Sequence, residues 1–283
     1  MAGSADLSAG WDIIMFKITP FSTQQHVIIQ ITDTHLLEDP QQEFVGINPE
    51  QSFHCVMQHI RQHHTQIDAI IHTGDLAQTP TPATYARYLD FMQSFGIPFF
   101  HVPGNHDHPE FFPFHQASPS ELSIIAVGNW HLILMNSAVV GQVDGWINDE
   151  QIQQLIHHLN AHPDTPSILA CHHHPFDMHS KWIDQHKLKN TPDLLATFKN
   201  YPQIRAVLCG HVHQESLHRW EHIDFLSSPS TSVQFKPHSD EFAFDTLPSG
   251  YRILRLNSNG QFNSNIHRIE NMLQNINTEI SGY

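Results

Sequence analysis

Five short segments of the chain place side chains that can bind a metal ion directly after apolar runs. These segments are Asp33-Thr34-His35, Gly74-Asp75, Gly104-Asn105-His106-Asp107, His172-His173-His174 and Gly210-His211-Val212-His213. They offer carboxylate oxygens, an amide oxygen and imidazole nitrogens but no thiolate, which suits manganese, iron, zinc or magnesium ions. Together these segments offer more potential ligands than one metal ion needs. The set therefore indicates two ions that share one carboxylate.

The apolar runs before these segments are predicted to be buried β-strands, with amphipathic helices between them. The predicted strands lie at 27–31, 69–71, 97–102, 167–171 and 204–209. The first helix has the clearest start, because Asn48 can cap it, Pro49 suits its first turn and Gln51 follows three residues after the cap. This alternation predicts a layered α/β fold. Groups just past the carboxyl ends of its strands are expected to converge on one crevice.

The remaining elements are predicted to complete a single domain. They are a hairpin around Gly128-Asn129, helices near 149–160 and 192–199, and strands at 222–228, 251–256 and 261–268. The late strands indicate a second sheet packed on the first, and the Pro/Ser-rich stretch 229–239 is predicted to be a loop. We expect residues 1–25 to be a loosely held lead-in, residues 26–270 to form the domain and residues 271–283 to be a C-terminal tail.

The composition argues against several classes of partner. The chain has 283 residues, with 13 Lys and Arg against 28 Asp and Glu, so its net charge of −15 opposes binding to nucleic acid or anionic lipid. No apolar run approaches the roughly 18–20 residues of a membrane span, and the N-terminus does not resemble a secretory signal. Cys55, Cys171 and Cys209 show no CxxC spacing, which favours a reducing compartment. We expect a soluble, cytoplasmic protein that binds neither nucleic acid nor membrane.

Histidine is unusually frequent, with 26 residues in the chain. At this density a lone histidine, or even an adjacent pair, is weak support for a metal site. The pairs His63-His64 and His157-His158 lie on helices beside polar residues and are interpreted as surface residues. Only histidines that follow a predicted strand are taken as candidate ligands.

The five segments, in this order, resemble the calcineurin-like metallophosphoesterases, whose pattern is DxH…GD…GNH[DE]…H…GHxH. The resemblance implies a four-layer α-β-β-α sandwich in which two mixed sheets are flanked by helices. It also implies two divalent or trivalent metal ions, iron and/or manganese. Asp33, His35 and His213 would hold the first ion, Asn105, His172 and His211 would hold the second, and Asp75 would bridge both. His172 is preferred because it is the first residue past the strand, and His173 remains the alternative.

A narrower resemblance is to the bacterial class III 3′,5′-cyclic-AMP phosphodiesterases. It rests on the metal segments together with Trp182-Ile183-Asp184-Gln185-His186 and Val233-Gln234-Phe235-Lys236-Pro237-His238. It implies hydrolysis of 3′,5′-cyclic AMP to 5′-AMP by in-line attack of a hydroxide that bridges two metal ions. The implied catalytic residues are Asp75, Asn105 and His106, with His106 as the proton donor. The implied substrate contacts are His35, Asp75, Asn105, His106, His172 and His213.

Several alternatives stay open on the sequence alone. The same metal site could serve another small phosphodiester: a glycerophosphodiester, a 2′,3′-cyclic nucleotide or a nucleoside diphosphate derivative. The segment after Asp75 lacks the GDxVDRG pattern of the Ser/Thr phosphoprotein phosphatases, which disfavours that activity. A protein-binding scaffold and a His-rich metal buffer are the non-enzymatic alternatives. Gln234 and Phe235 either contact adenine or pack inside the protein or at a dimer interface, and a homodimer is left open.

Overall fold

The structure is a computed structural model that describes residues 13–112 and 120–269. A five-stranded sheet has the strand order β14-β13-β2-β3-β4. Its strands are β2 (Gln25–Ile31), β3 (Ala69–His72), β4 (Phe99–His101), β13 (Gly250–Asn257) and β14 (Phe262–Arg268). Strands β2, β3 and β4 are parallel, whereas β13 runs antiparallel to both β2 and β14. The expected C-terminal tail, residues 271–283, lies outside the described residues.

A seven-stranded sheet has the strand order β1-β5-β6-β7-β8-β10-β9. Its strands are β1 (Ile14–Ile18), β5 (Ser123–Val127), β6 (Trp130–Leu134), β7 (Ser167–Ala170), β8 (Ile204–Cys209), β9 (Ser216–Trp220) and β10 (Ile223–Ser227). Strands β6, β7, β8 and β10 are parallel, and β5 and β9 each pair antiparallel with a neighbour. A short separate pair is formed by β11 (Gln234–Phe235) and β12 (Phe244–Asp245).

Helices cover the outer faces of both sheets. They are α1 (Pro49–His63), α2 (Pro82–Gln93), α3 (Asp149–Ala161) and α5 (Thr191–Phe198), whereas the Trp182 ring of the short α4 (Lys181–Asp184) packs on Phe235 of β11. Side chains of α1 and α2 pack with the five-stranded sheet, and those of α3 and α5 pack with the seven-stranded sheet. A third apolar cluster, which includes Ile71 and Leu132, fills the space between the sheets. The predicted four-layer sandwich of two mixed sheets flanked by helices is confirmed.

Helix α1 begins as its sequence predicts. The side chain of Asn48 accepts a hydrogen bond from the backbone N–H of Gln51 at 2.8 Å, and Pro49 is the first helical residue. The cap satisfies a backbone donor that the helix itself leaves without a partner. The apolar residues of the helix face the sheet, because Phe53 and Val56 are fully buried. The start of α1 in turn fixes the length of the loop that follows β2.

The expectation of a loosely held lead-in over residues 1–25 is wrong for residues 14–18. These residues form β1, which pairs parallel with β5 at the edge of the seven-stranded sheet, with Ile14 opposite Ser123. The loop prediction for 229–239 is also incomplete, because β11 lies within it. Strand β9 is mostly exposed and polar, so its periodicity gave no strand signal. In each case the strand is defined by a partner that is distant in sequence or by an antiparallel neighbour.

The surface interpretation of the histidine pairs is only partly correct. His63 is exposed, but His158 is 4% exposed, with its Nε2 2.9 Å from Nδ1 of His131. His64 is half-buried, with its Nε2 2.8 Å from the Tyr251 hydroxyl. The polar neighbours along the helix did not reveal which face packs on the sheet. Within the described residues, no helix is both long and apolar enough to cross a membrane.

Candidate metal centre

The five predicted segments meet at one edge of the sandwich, where the carboxyl ends of β2, β3 and β4 face those of β7 and β8. Backbone hydrogen bonds join the segments directly. The N–H of Asp33 donates to the carbonyl of Gly74 at 3.0 Å, and the N–H of Gly210 donates to the carbonyl of His172 at 2.9 Å. The convergence expected from the strand order is therefore present, and it brings together all seven residues proposed as ligands.

Five of these seven residues have a left-handed backbone, with φ between 47° and 69°. They are Asp33, His35, Asp75, His211 and His213. This conformation costs a residue other than glycine about 1–2 kcal/mol. Such strain persists where the surrounding structure enforces it, and it is concentrated at functional sites. Its repetition at the strand ends marks this edge as the candidate functional site.

Glycine serves two different needs here. The sequence predicts a sharp turn at each glycine of the pattern, and Gly74, with φ of 99°, has the backbone that such a turn needs. Gly104 and Gly210 are required by space instead. A Cβ on Gly104 would lie 2.1 Å from Oδ1 of Asp75, and one on Gly210 would lie 2.1 Å from Oγ1 of Thr32. These two glycines let the segments approach closely enough for their side chains to meet.

One group of candidate ligands consists of Asp33, His35 and His213. The His213 Nε2 lies 3.3 Å from Oδ1 of Asp33 and 3.1 Å from Nε2 of His35. Each ring is oriented through its other nitrogen, because Nδ1 of His213 donates to the carbonyl of Val233 and Nδ1 of His35 donates to Oε1 of Gln78, both at 2.8 Å. Since these oxygens only accept, the Nε2 of each ring in its neutral form carries the lone pair and faces the other ring. Two Nε2 atoms and a carboxylate oxygen that face one another in this way can act together as ligands of one metal ion.

The second group contains His172, His211 and Asn105, and Asp75 lies between the two groups. The His172 Nε2 is 3.2 Å from Oδ2 of Asp75, from Oδ1 of Asn105 and from Nδ1 of His211. The His172 Nδ1 donates to the carbonyl of Thr73 at 2.7 Å, which leaves Nε2 as the nitrogen that faces the ligands. The same Oδ2 of Asp75 lies 3.8 Å from Nε2 of His35 in the first group. The donor set therefore fits two metal ions with one shared carboxylate.

The electrostatics of the site favour positive charge. Burial alone would raise the pKa of Asp33 and of Asp75, but neighbouring histidines, chiefly His213 and His172, outweigh it and lower both. Burial opposes a charge on His172, yet Asp75 and Asp33 outweigh it and raise the pKa of that ring to about 9. A buried centre with these carboxylates stabilises a cation, whether a proton on His172 or a metal ion.

The structure distinguishes the two histidines that the sequence left as alternatives. The Oγ of Ser137 accepts from the backbone N–H groups of His172 and His173, so its own proton is donated to Nδ1 of His173 at 2.8 Å. The Nε2 of His173 then donates to the carbonyl of Val143 at 3.1 Å. Both ring nitrogens of His173 are occupied by these contacts, whereas His172 directs its Nε2 toward Asp75, Asn105 and His211. This geometry favours His172.

His106 lies beside both groups. Its backbone N–H donates to Oδ1 of Asp75 at 2.9 Å, and its ring packs edge-on against that of His35 with 5.0 Å between the centroids. A ring nitrogen of His106 also falls within 4.8 Å of ligand atoms of His35 and Asp75. The half-buried ring therefore lies beside the candidate ligands His35 and Asp75, and its position is compatible with either a ligand or a contact to a bound molecule.

Asp107 and Ser137 hold parts of the centre in place through hydrogen bonds. The sequence analysis did not identify either residue as part of the site. The Asp107 Oδ2 accepts from the N–H groups of Gly104 and Leu76, and its Oδ1 accepts from the N–H of Ala77 and the Tyr85 hydroxyl. Asp107 thus joins the segment that carries Asn105 to the segment that carries Asp75. Burial and the charge of Asp75 raise its pKa to about 7. Two features of the sequence could have identified these residues. Asp107 is the fourth residue of the segment Gly104-Asn105-His106-Asp107, and Ser137 is one of the polar residues that follow β6.

The side chains of Gln234 and Phe235 are buried inside the protein. Gln234 donates to the carbonyl of Ser230 at 2.9 Å and accepts from the Arg268 guanidinium at 3.2 Å. Phe235 is 2% exposed, and its ring stacks on that of His213 with centroids 3.9 Å apart. Of the two roles left open for this loop, contact with adenine is therefore not supported. The loop instead holds the ring of a candidate ligand in place.

Comparisons with known proteins agree with this arrangement. Residues 26–215 match the calcineurin-like phosphoesterase family. A cyclic-AMP phosphodiesterase CpdA of Escherichia coli is 36% identical over 259 residues, which is 90% of this chain and 94% of that protein. The CpdA of Vibrio vulnificus is 36% identical over 86% of this chain and 89% of its own length. A cyclic-nucleotide phosphodiesterase of Nostoc is 34% identical over 86% and 92% of the two chains.

Solved structures show the same architecture at low sequence identity. A dimetal phosphatase of Danio rerio superposes with a TM-score of 0.56 at 12% identity, over 82% of this chain and 95% of that one. A purple acid phosphatase of yellow lupin gives a TM-score of 0.58 at 14% identity, over 88% of this chain and 55% of its own. With the family match over residues 26–215 and relatives above 30% identity, this chain belongs to the calcineurin-like phosphoesterase family.

Proposed function

We propose that this chain hydrolyses 3′,5′-cyclic AMP to 5′-AMP at a centre that holds two metal ions. The observation that carries the proposal is the 36% identity, over 90% of the chain, to a protein named as a 3′,5′-cyclic adenosine monophosphate phosphodiesterase. The convergence of seven oxygen and nitrogen ligands around Asp75 supports it. The chain supplies the kind of buried, anionic pocket that divalent ions neutralise.

The ligand assignment follows the two groups. Asp33, His35 and His213 would hold one ion, His172, His211 and Asn105 would hold the other, and Asp75 would be shared between them. The ions, when bound, lower the pKa of water toward neutrality and offset the charge of the phosphodiester. Iron and manganese suit this set of carboxylate, amide and imidazole ligands. Metal analysis of the purified chain and reconstitution with each ion test the identity.

The protein residues position the substrate and supply the proton. Water adds to phosphorus and gives up one proton, the bond from phosphorus to the ribose 3′ oxygen breaks, and that oxygen takes up one proton. His106, which lies next to Asp75 and His35, is the group placed to donate it. The amide of Asn105 has an N–H₂ group that can donate to a phosphoryl oxygen where charge develops. Asp107 holds the segment that carries both residues.

Product identification is the direct test of this function. The metal-loaded chain is incubated with 3′,5′-cyclic AMP, 3′,5′-cyclic GMP, a 2′,3′-cyclic nucleotide, a glycerophosphodiester and a nucleoside diphosphate derivative in competition. We expect cyclic AMP to be consumed with 5′-AMP as its product. Formation of 3′-AMP, or a preference of ~10² in kcat/KM for the glycerophosphodiester, would overturn the choice of substrate.

The cytoplasm is the compartment we propose. Cys55, Cys171 and Cys209 are all free thiols, and two of them are buried. Free thiols are typical of proteins from a reducing compartment. The net charge of −15 continues to disfavour nucleic acid and anionic lipid as partners. Locating the tagged chain by cell fractionation tests the compartment.

Replacing His106 by Ala should slow turnover and leave the metal content unchanged. Loss of a positioned proton donor lowers kcat by about 10²–10⁴-fold. The matched control is His108→Ala, two residues further on and outside both ligand groups. Turnover and metal content are measured on the same preparations. A fall in the number of bound ions would show that His106 is a ligand instead.

Replacing Asp107 by Ala should lower activity although this residue contacts neither metal nor substrate. Four donors lose their acceptor, and the segment that carries Asn105 is no longer joined to the one that carries Asp75. Changes in groups that orient ligands cost about 10–100-fold in activity or metal affinity. The control is Glu110→Gln, on the exposed side of the same segment. Unchanged kcat and metal affinity in the Asp107 variant would remove this role.

A further inference from the structure

Three histidines meet at the C-terminal end of α3, outside the candidate metal centre. His158 lies in the last turn of α3, His162 caps its end, and His131 lies on β6 beneath them. One ring nitrogen of each lies within 4.8 Å of the others, and the ring centroids are 4.3–5.0 Å apart. We refer to these three residues as the α3 triad.

The α3 triad lies far from the centre on the same sheet. His131 pairs with Ser167, at the start of β7, whereas His172 follows the end of that strand. Five residues at about 3.3 Å each separate the two positions by on the order of 15 Å. The triad therefore shares no residue with the candidate metal centre, and it lies toward the opposite edge of the seven-stranded sheet.

The ring of His162 is oriented as in a metal-binding histidine. Its Nδ1 is 2.9 Å from the carbonyl oxygen of His158, which can only accept, so Nδ1 carries the proton. The lone pair is left on Nε2. A hydrogen bond from one ring nitrogen to a backbone carbonyl is the usual way in which a ligating histidine is held and its tautomer fixed.

The spacing of the triad suits one ion. His158 and His162 are four residues apart, which places them on the same face of the helix. The Nε2 of His158 and Nδ1 of His131 are 2.9 Å apart in a hydrogen bond, and the proton of that bond would move to the other nitrogen of its ring when an ion takes its place. Nitrogens on a tetrahedral zinc ion, with bonds of about 2.0–2.1 Å, stand about 3.3 Å apart, so a shift of a few tenths of an ångström would admit the ion.

The triad is also partly open to solvent, which leaves room for a further ligand. His131 is 9% exposed and His162 is half-buried, so water can complete the coordination. Burial lowers the pKa of His131 to about 4 and that of His158 to about 3, and both rings are therefore neutral near pH 7. Neutral imidazole is the form that binds a metal.

The clustering is specific to this place in spite of the many histidines. Over residues 13–112 and 120–269, every other such group of metal-capable side chains belongs to the candidate metal centre or its neighbours His106 and His173. The histidines around Tyr251 show the contrast, because His59 and His64 each contact the Tyr251 hydroxyl. Those rings do not bring three nitrogens together.

We propose that the α3 triad binds one borderline divalent transition-metal ion, with zinc as the best fit. Three imidazoles favour zinc, copper or nickel over magnesium or manganese. The bound ion joins the end of α3 to β6, so it stabilises the folded chain by its binding to that state. It is additional to the ions of the candidate metal centre.

The test counts zinc on the full-length chain. Metal-free protein is equilibrated with micromolar free Zn²⁺, and the bound zinc per chain is measured for wild type, His162→Gln and the matched control His157→Gln on the same helix. We expect His162→Gln to bind one ion fewer than wild type and than the control. The zinc-dependent rise in Tm should be smaller in the same variant, whereas cyclic-AMP turnover should be unchanged.

The readout is the difference in bound zinc per chain between His162→Gln and wild type. This difference does not depend on how many ions the candidate metal centre takes or on which substrate that centre cleaves. Equal zinc in wild type and His162→Gln would overturn the proposal. His158→Gln gives a second measurement, and its circular dichroism without metal shows whether the fold is kept. If His158→Gln folds and still binds as much zinc as wild type, the triad is not a metal site.

Discussion

Replacing Asp75 by Asn should remove activity and bound metal together. The Asp75 Oδ2 lies 3.2 Å from Nε2 of His172 and 3.8 Å from Nε2 of His35, so one carboxylate serves both ligand groups. Asparagine has nearly the same shape but no negative charge. We expect the number of ions bound at the candidate metal centre to fall from two to at most one and kcat to fall by at least about 10³-fold, or about 4 kcal/mol.

The control for this variant removes the same charge elsewhere. Asp193 is exposed on α5, so Asp193→Asn should retain both ions and normal turnover. Metal content, kcat and the circular dichroism spectrum of each variant separate a loss of ligand from a loss of fold. Normal turnover in Asp75→Asn would be fatal to the proposed centre.

Replacing His172 by Gln should remove one ion, whereas the same change at His173 should not. The Nε2 of His172 faces Asp75, Asn105 and His211. Glutamine cannot reproduce that ligand, and we expect a loss of about 10²–10³-fold in kcat/KM, equivalent to about 3–4 kcal/mol. The two residues are adjacent and both fully buried, so each variant serves as the control for the other.

His173→Gln should affect stability instead. Its two ring nitrogens bond Ser137 and the carbonyl of Val143, and losing one leaves a buried polar group without a partner. That costs on the order of 1–3 kcal/mol, to be measured by denaturant unfolding. If His173→Gln lost an ion and His172→Gln kept both, the ligand assignment would be reversed.

Some of the site follows from local patterns. Apolar runs of three to six residues followed closely by Asp, Asn or His identify strand ends, and parallel strands bring such ends to one edge. The cap at Asn48 and the sharp turn at Gly74 are equally local, because each depends on neighbouring residues only. These features made the order of the five segments sufficient to predict the centre.

Other features depend on contacts that no local pattern contains. The orientation of the His172 ring depends on the carbonyl of Thr73, 99 positions away, and the exclusion of His173 depends on Ser137. Phe235 has the character of a base-stacking residue, yet its ring lies on His213. A helix position is buried or exposed according to the layer against which it packs, as His158 illustrates.

The sequence alone determined the layered α/β fold, because strand periodicity and the residues at strand ends are encoded over short stretches. The order of its five segments also carried the resemblance to the calcineurin-like family, and that resemblance implied the seven residues that converge. Only the tertiary structure decided which ring nitrogens face the site, which histidine of the 172–174 run points inward, that residues 14–18 join a sheet and that His158 meets His131. The physical reason is that a hydrogen-bond partner or a packing neighbour can come from any part of the chain. Which one is close enough is fixed only when the layers come together.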